Sequence, residues 1–378
     1  MAEADGSSRG VGSLAESQMI PEERHRIDLL DNRVPEVTEL ASKSSVVIPA
    51  YNAARKLPAC LEALRDQSCK PLEVIVVDDG STDSTAIVAQ QHGALVLIQR
   101  HHGPAAARNL GMRNARGDLI LFTDADCEPS PTWVEEMVRP FIDPTVVGVK
   151  GTYKTRQREI VAQLCQYEFE ERYDYLDRFE TIDFVDSYAG GFRTAVLREM
   201  GGFDPAFSEA NNEDVDLSYR LADAGHHLMF NRRAVVYHHH RTNWSAYFRL
   251  KARRGYWRMI VYRLHPFKAV SDTYTPQLLK LQILLLGLSL FFGVVATVWA
   301  MSAWVAAFSL LLLLASAVPF LHRVGAVDKR LVPWAMVFVL VRALAFALGV
   351  VWGLAGLLSF RPQNAKGRAE SIEELGGE

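Results

Sequence analysis

The stretch LILFTDADCEP, residues 119–129, runs apolar through Phe122 and ends in two aspartates, Asp124 and Asp126, one residue apart. Residues i and i+2 of a strand share a face, and where the chain turns at a strand end both carboxylates can reach one small site. Carboxylates that close are stable together if a divalent cation sits between them and a phosphate. Mg2+ and Mn2+ take oxygen ligands and complete their shells with substrate phosphate and water. An aspartate capping a helix from Pro131 accounts for only one of the two acids. The reading therefore turns on whether residues 119–123 form a buried strand.

The surrounding sequence says they do. SSVVIPAYN (44–52), PLEVIVVDDGS (71–81), GALVLIQ (93–99) and GDLILFTDAD (117–126) are short β-branched or apolar runs ending in polar residues. They alternate with LPACLEALRDQS, STDSTAIVAQQ and GPAAARNLGMRNA, which have helical composition or spacing. Such alternation predicts βαβ units and a parallel sheet covered on both faces. Ligands bind such sheets beyond the carboxyl ends of the strands, where Tyr51, Asn52, Asp78, Asp79, Asp124 and Asp126 all fall. Gly80 to Ser84 read as a turn and capped helix, which needs one acid and not two. A carboxylate at that strand tip could accept from a nucleobase N–H or a ribose hydroxyl. Pro104 suits a first helical position, which puts Arg108 in the opening turns, where a cation beside a helix N-terminus suits a diphosphate. A solvated surface arginine is the alternative.

Further on, Glu213 and Asp214 open the helical pattern DVDLSYRLADAG, closed by Gly225. Acids at a helix start are favoured by the dipole; a carboxylate there could equally act as general base toward an incoming hydroxyl. AVVYHHHR (234–241) ends a strand in three histidines. His238, the first beyond the strand, is a candidate third metal ligand, with surface histidines as the alternative. Gly190, Gly191, Arg254 and Trp257 are assigned to the acceptor side or an interface.

Composition is uneven along the 378 residues. Leu281–Leu321 holds no Asp, Glu, Lys or Arg, and Leu331–Phe360 holds only Arg342. Both stretches exceed the roughly 20 residues that cross a bilayer. They predict helices at 279–300, 303–321 and 334–358, with a turn at Met301–Ala303; the third could instead be re-entrant. The domains expected are a flexible segment 1–42 with a short helix at Glu22–Leu30, an α/β catalytic unit 43–247, an interfacial basic and aromatic segment 248–275, a transmembrane region 276–360, and a polar tail 361–378. Residues 1–18 lack the charged and apolar regions of a secretory signal. Basic residues in 249–258 and 322–330 place both on the cytoplasmic side, giving a multi-pass inner-membrane protein with a cytoplasmic catalytic unit and an external tail. Arg342 would face a bundle interior or snorkel to the surface. The four cysteines show no C-x-x-C spacing, and a net charge of −3 gives no reason to expect nucleic acid as a partner.

In this order, VVIPAYNA (46–53), VVDDGSTDST (76–85), GPAAARNLG (103–111), TDAD (123–126), GGFDP (201–205) and NED (212–214) resemble glycosyltransferase family 2. The resemblance covers residues 44 to about 260. It implies an inverting enzyme of GT-A fold, which is α/β and Rossmann-like with a mostly parallel sheet and flanking helices, here followed by transmembrane helices. It also implies a nucleotide-diphosphate sugar donor and a divalent cation, Mn2+ or Mg2+. By that likeness Pro49, Tyr51, Asp78 and Asp79 would frame the nucleotide, with Asp79 nearer the base. Arg108 would lie by the diphosphate, Asp124 by the ribose or metal, and Asp126 would be the principal metal ligand. Asp214 would be the catalytic base.

Processive synthases of this family carry Q-x-x-R-W beside the membrane; here Lys251-Ala-Arg-Arg254-Gly-Tyr-Trp257 lacks the Gln and breaks the Arg-Trp pair. That favours transfer of one or a few sugars to a lipid-linked or membrane-proximal saccharide. A processive synthase and a polyprenyl-phosphate sugar synthase are the enzymatic alternatives, although the latter generally lack the GGFD and ED section. A membrane-anchored sugar-nucleotide sensor without turnover would need no base. The basic and aromatic run Phe248–Phe267 has the mixture expected of a helix lying against membrane lipid.

Overall fold

The computed structural model describes residues 34–207, 212–270, 272–273 and 275–357. The short helix expected at Glu22–Leu30 and the polar tail lie outside them. Residues 34–42, expected to be flexible, instead form helix α1 (Val34–Ser42), because Val37 and Ala41 are buried against the following domain.

The four apolar runs become β1 (Ser44–Ala50), β2 (Glu73–Asp78), β3 (Leu95–Ile98) and β4 (Leu119–Thr123), side by side and parallel in the order β3-β2-β1-β4. Helices α2 (Leu57–Arg65), α3 (Thr85–Gln91) and α4 (Pro104–Asn114) connect them. Every residue of β4 is buried, as a strand covered on both faces requires. Before α4, Gly103 adopts φ 89°, a left-handed value that a side chain would strain, and Pro104 follows at the helix start.

After β4 the chain adds β5 (Cys127–Pro129), α5 (Trp133–Val138), β6 (Val146–Lys154), α6 (Ile160–Leu176), β7 (Ala189–Arg193), α7 (Thr194–Glu199), α8 (Glu213–Asp223) and β8 (His227–His238). This half of the sheet is mixed. β7 runs antiparallel to β4 and β6, β8 runs parallel to β6, and β5 pairs antiparallel with β8. The complete order is β3-β2-β1-β4-β7-β6-β8-β5.

The basic and aromatic segment forms one helix, α9 (Trp244–Leu264), starting four residues before the expected boundary at 248. Beyond it lie α10 (Gln277–Val295), α11 (Ser302–Ser316), α12 (Val318–Val327) and α13 (Val332–Gly356). Three segments, Gln277–Val295, Ser302–Val327 and Lys329–Gly356, are long and apolar enough to cross a membrane. The first turn comes earlier than Met301–Ala303, because α10 ends at Val295 and α11 already begins at Ser302, whose hydroxyl donates to the carbonyls of Trp299 and Phe292. Arg342 faces the protein. It is buried 3.7 Å from Glu168 and 3.8 Å from Glu171, and it donates to Gln282 at 3.1 Å.

Candidate active site

The carboxyl ends of β1, β2 and β4 border one cleft of about 360 Å3, lined by Pro49, Tyr51, Asn52, Asp79, Arg108, Asp124 and Asp126 among others. Its walls follow from local chain geometry. Asn52, at φ 49°, reverses the chain after β1 and accepts from the Thr82 amide at 2.9 Å, which ties the β1 end to the β2 end. Tyr51 is left half exposed at the mouth and stacks on His101, ring centroids 4.1 Å apart.

Asp78 and Asp79 have different tasks. Asp78 is buried and accepts from the Ser81 amide at 2.9 Å, so it closes its own turn and does not line the cleft. This corrects the expectation that both acids frame a nucleotide. Asp79 lines the cleft, yet its carboxylate already accepts from the His102 and Gly103 amides at 2.9 Å and from the Gln99 side chain at 2.6 Å. It thereby pins the loop that enters α4.

Arg108, in the opening turns of α4 as expected, also lines the cleft. It is not a surface residue, and its guanidinium is held between two acids. It donates to Glu213 at 2.7 Å and to Asp124 at 3.1 Å, with its side chain only 3% exposed. A buried cation needs such partners. Arg108 thus joins the β4 end to the start of α8, which lies 105 residues from Arg108 in the chain.

The two aspartates of the opening stretch stand together with His238. Antiparallel pairing of β5 with β8 sets Cys127 opposite His238, which brings His238 Nε2 to 4.0 Å from an Asp126 oxygen. Burial pushes the Asp124 carboxyl above its ordinary range; Arg108 opposes this, and the Asp126 and Asp214 charges add to it. Burial would raise Asp126 too, but nearby His238 and Lys56 hold it below the usual range. Burial drops His238 to about 4, so its imidazole is neutral at pH 7 and can offer a lone pair. Lys56, donating to Asp126 at 3.0 Å, is then the cation that balances it. Ligand atoms of Asp124, Asp126 and Cys127 lie within 4.8 Å of one another. Burial pushes the Cys127 thiol well up, which keeps it protonated and leaves Asp124, Asp126 and His238 as the donor set suited to a hard cation.

Glu213 and Asp214 also divide. Glu213 is buried, and burial together with the Asp214 charge pushes its carboxyl upward while Arg108 opposes. Its Oε2 has no hydrogen-bond partner among the described residues. Asp214 is less buried; it accepts from the Ser187 amide at 3.1 Å and from the Val215 amide at 2.9 Å. Asp214 is therefore the more exposed of the two acids.

The glycines assigned to the acceptor side are buried within β7. A Cβ on Gly190 would lie 2.7 Å from the Asp186 carbonyl oxygen, and one on Gly191 would lie 2.9 Å from Leu121. Packing, not acceptor contact, explains both. Trp257 packs on Phe207, and Arg254 lines a second cavity described below. Lys56 and His101 were missed from sequence, because neither their spacing nor their neighbours distinguish them from surface residues. Lys150, fully buried and ion-paired with Asp186, was missed as well. Its only signal was a charge inside an apolar strand.

Residues 45–201 match the family model described as glycosyl transferase family 2. The solved mannosyltransferase PcManGT from Pyrobaculum calidifontis, in complex with GDP-Man and Mn2+, superposes with a TM-score of 0.51 at 18% identity, covering 84% of this chain and 87% of that one. The fold is thus of GT-A type, a curled mixed α/β sheet followed by helices apolar enough to span a membrane. Residues 45–201 thus form a glycosyltransferase family 2 domain. Among curated relatives, the pre-mycofactocin glycosyltransferase of Mycobacterium tuberculosis is 34% identical over 223 residues, 56% of this chain and 46% of that protein. The undecaprenyl-phosphate 4-deoxy-4-formamido-L-arabinose transferase of Serratia proteamaculans is 39% identical over 111 residues, 27% of this chain and 34% of that protein. The chain spans about half the length of the first of these, and less of the second.

Proposed function

We propose that this protein is a membrane-bound inverting glycosyltransferase that moves a sugar from a nucleotide-diphosphate sugar to a hydroxyl of a lipid-linked or membrane-proximal saccharide. The observation that carries the reading is that Asp124, Asp126 and Arg108 line one cleft, with His238 4.0 Å from Asp126, Glu213 paired to Arg108, and Asp214 next to Glu213 at the start of α8. The nucleotide occupies the cleft between Tyr51 and Asp79, with Pro49 and Asn52 shaping its wall. A divalent cation, Mn2+ or Mg2+, held by Asp126, Asp124 and His238 would offset the charge that builds on the leaving diphosphate. A GT-A neighbour solved with GDP-Man and Mn2+ supports such a cation. Asp214 takes the proton of the acceptor hydroxyl as it attacks the anomeric carbon. Arg108 keeps Asp124 and Glu213 in place without touching the sugar.

A lipid-linked acceptor is supported by the relative named for undecaprenyl phosphate and by a second cavity. This cavity, about 180 Å3, lies between α6, α9, α10 and α13, with Arg172, Arg254, Arg258 and Lys280 beside Leu279 and Phe346. Cations over an apolar floor suit a phosphate attached to a hydrocarbon chain. The catalytic unit then works at the cytoplasmic face of the cell membrane.

The test is release of nucleoside diphosphate by the purified protein in lipid, with Mn2+ or Mg2+, over a panel of nucleotide sugars and membrane lipid extracts. Metal-dependent release with one donor, lost in Asp126→Asn and Asp214→Asn, is expected. Saturable donor binding without release would favour a sensor and overturn the proposal.

A further inference from the structure

The apolar length of α13 marks it as a membrane span, but its packing does not. α9 and α13 run side by side in the same direction along their whole lengths. Trp244 meets Trp334 with ring centroids 6.3 Å apart, Tyr247 stacks on Phe338 at 4.4 Å, and Tyr256 meets Trp352 at 4.5 Å. At the far end Arg263 donates to the Leu357 carbonyl. The two backbones touch: a Cβ on Gly255 would lie 2.8 Å from the Phe346 carbonyl oxygen, and one on Gly353 would lie 2.8 Å from that of Tyr256. At a rise of 1.5 Å per residue the contact is about 30 Å long. Whatever depth α13 has in a bilayer, α9 shares it.

α9 cannot share a transmembrane depth. It carries Arg249, Lys251, Arg253, Arg254, Arg258 and Arg263, and each charge at mid-bilayer costs at least about 2.5 kcal/mol. Its other side is fastened to the catalytic domain. Lys251 pairs with Glu168 at 2.7 Å, His265 with Asp216 at 3.1 Å, and Trp257 packs on Phe207. A spanning α13 would therefore draw α8 and α6 of the catalytic domain into hydrocarbon.

We propose that α13 does not cross the membrane but lies along its surface as the lipid-facing cover of the catalytic domain, so that only the α10–α11 hairpin enters the bilayer. Two faces of α13 fit this. Ala335, Phe338, Arg342, Ala345, Gly349 and Gly353 are buried on the protein side. Val337, Leu344, Leu348, Val351 and Leu354, spaced to form one stripe, are exposed on the other. That stripe continues into the exposed apolar side chains of the hairpin, such as Leu284, Phe291 and Phe308. Both hairpin roots are tied back to the same side: Lys280 lies 3.4 Å from Asp272, which accepts from the Tyr262 hydroxyl of α9 at 3.2 Å, and Arg323 pairs with Asp174 of α6. Exposed Arg249, Arg253 and Arg263 on α9 complement anionic headgroups beside the stripe. The end of α13 then emerges on the side of the catalytic domain, opposite to the expectation from counting three spans. The inference holds whichever donor and acceptor the enzyme uses.

Nitroxide labels placed singly at Val337→Cys, Leu344→Cys and Val351→Cys in the full chain, reconstituted in anionic lipid, test it by depth from oxygen and nickel-chelate relaxation. A spanning helix separates the first and last labels by about 21 Å along the membrane normal. The surface arrangement puts all three in lipid at one shallow depth. A steady progression of depth, or labels bathed in water at all three sites, would overturn the proposal. As a second readout, Gly377→Cys and Arg65→Cys, the latter on the exposed catalytic surface, should react with an impermeant maleimide in the same orientation of sealed vesicles. Reaction in opposite orientations would also refute it.

Discussion

Replacing Arg108 by Met tests the network that joins the two halves of the candidate site. The substitution preserves much of the side-chain volume and removes the cation that Glu213 and Asp124 share at 2.7 and 3.1 Å. Glu213 is 3% exposed, and its second oxygen already has no partner among the described residues. Removing one member of a buried pair costs about 3–5 kcal/mol, because the other charge is stranded. At about 2–4 °C per kcal/mol for a domain of this size, the apparent midpoint should fall by roughly 6–20 °C. The sign with pH follows from the same residue. Without Arg108 the folded-state Glu213 carboxyl moves further above its unfolded value of 4.5. A raised carboxyl contributes stability below its unfolded pKa and loses it as pH rises through the folded one. The Arg108→Met deficit should accordingly be smaller at pH 5 than at pH 8, and Arg108→Met with Glu213→Gln should recover part of it. The assay is thermal unfolding of the full chain in lipid nanodiscs, followed by intrinsic fluorescence. A midpoint shift below the about 2 °C that one kcal/mol produces, or a double variant as unstable as the sum of the singles, would refute the stranded-charge argument.

Asp214→Asn should leave donor binding intact and lower turnover by about 10²–10⁴-fold, read by calorimetric binding beside product release. Asp126→Asn should raise the Mn2+ concentration needed for half-maximal donor binding, measured by titration with the non-transferable nucleoside diphosphate. Burial alone would raise the Glu168 carboxyl, but Lys251 and Arg342 pull it down to about 2 from 4.5. That stability is present above pH 4.5 and lost as pH falls toward 2, so the midpoint gap between wild type and Glu168→Gln should close over that window. Gly349→Leu should cost about 1–3 kcal/mol by overpacking, since even a Cβ there meets the Ala252 carbonyl oxygen on the facing helix; a midpoint equal to wild type would disprove the close contact.

The strands and the site at their tips were legible in the sequence because burial on both faces leaves an unmistakable mark. A run such as Leu119–Thr123 can be apolar throughout only if helices cover it, and acids at its end then require a reason. Asp124 and Asp126 were legible for the same reason, since they follow directly on β4, whereas His238 is the last residue of β8 and not the first beyond it. The division of labour between Asp78 and Asp79 was not, because it depends on which carboxylate faces the turn and which faces the loop at 99–103. Arg108 could not be assigned from its surroundings in the chain: its partners lie 16 and 105 residues away, and only the closing of β4 against α8 makes it a buried bridge. Apolar length likewise identified α10, α11 and α13 as membrane elements. Composition, however, records that a helix avoids water and not what it avoids water against. Only tertiary packing, with the six cations of α9 laid along α13 and Glu168 beneath them, decides which apolar helix meets protein on one side and lipid on the other.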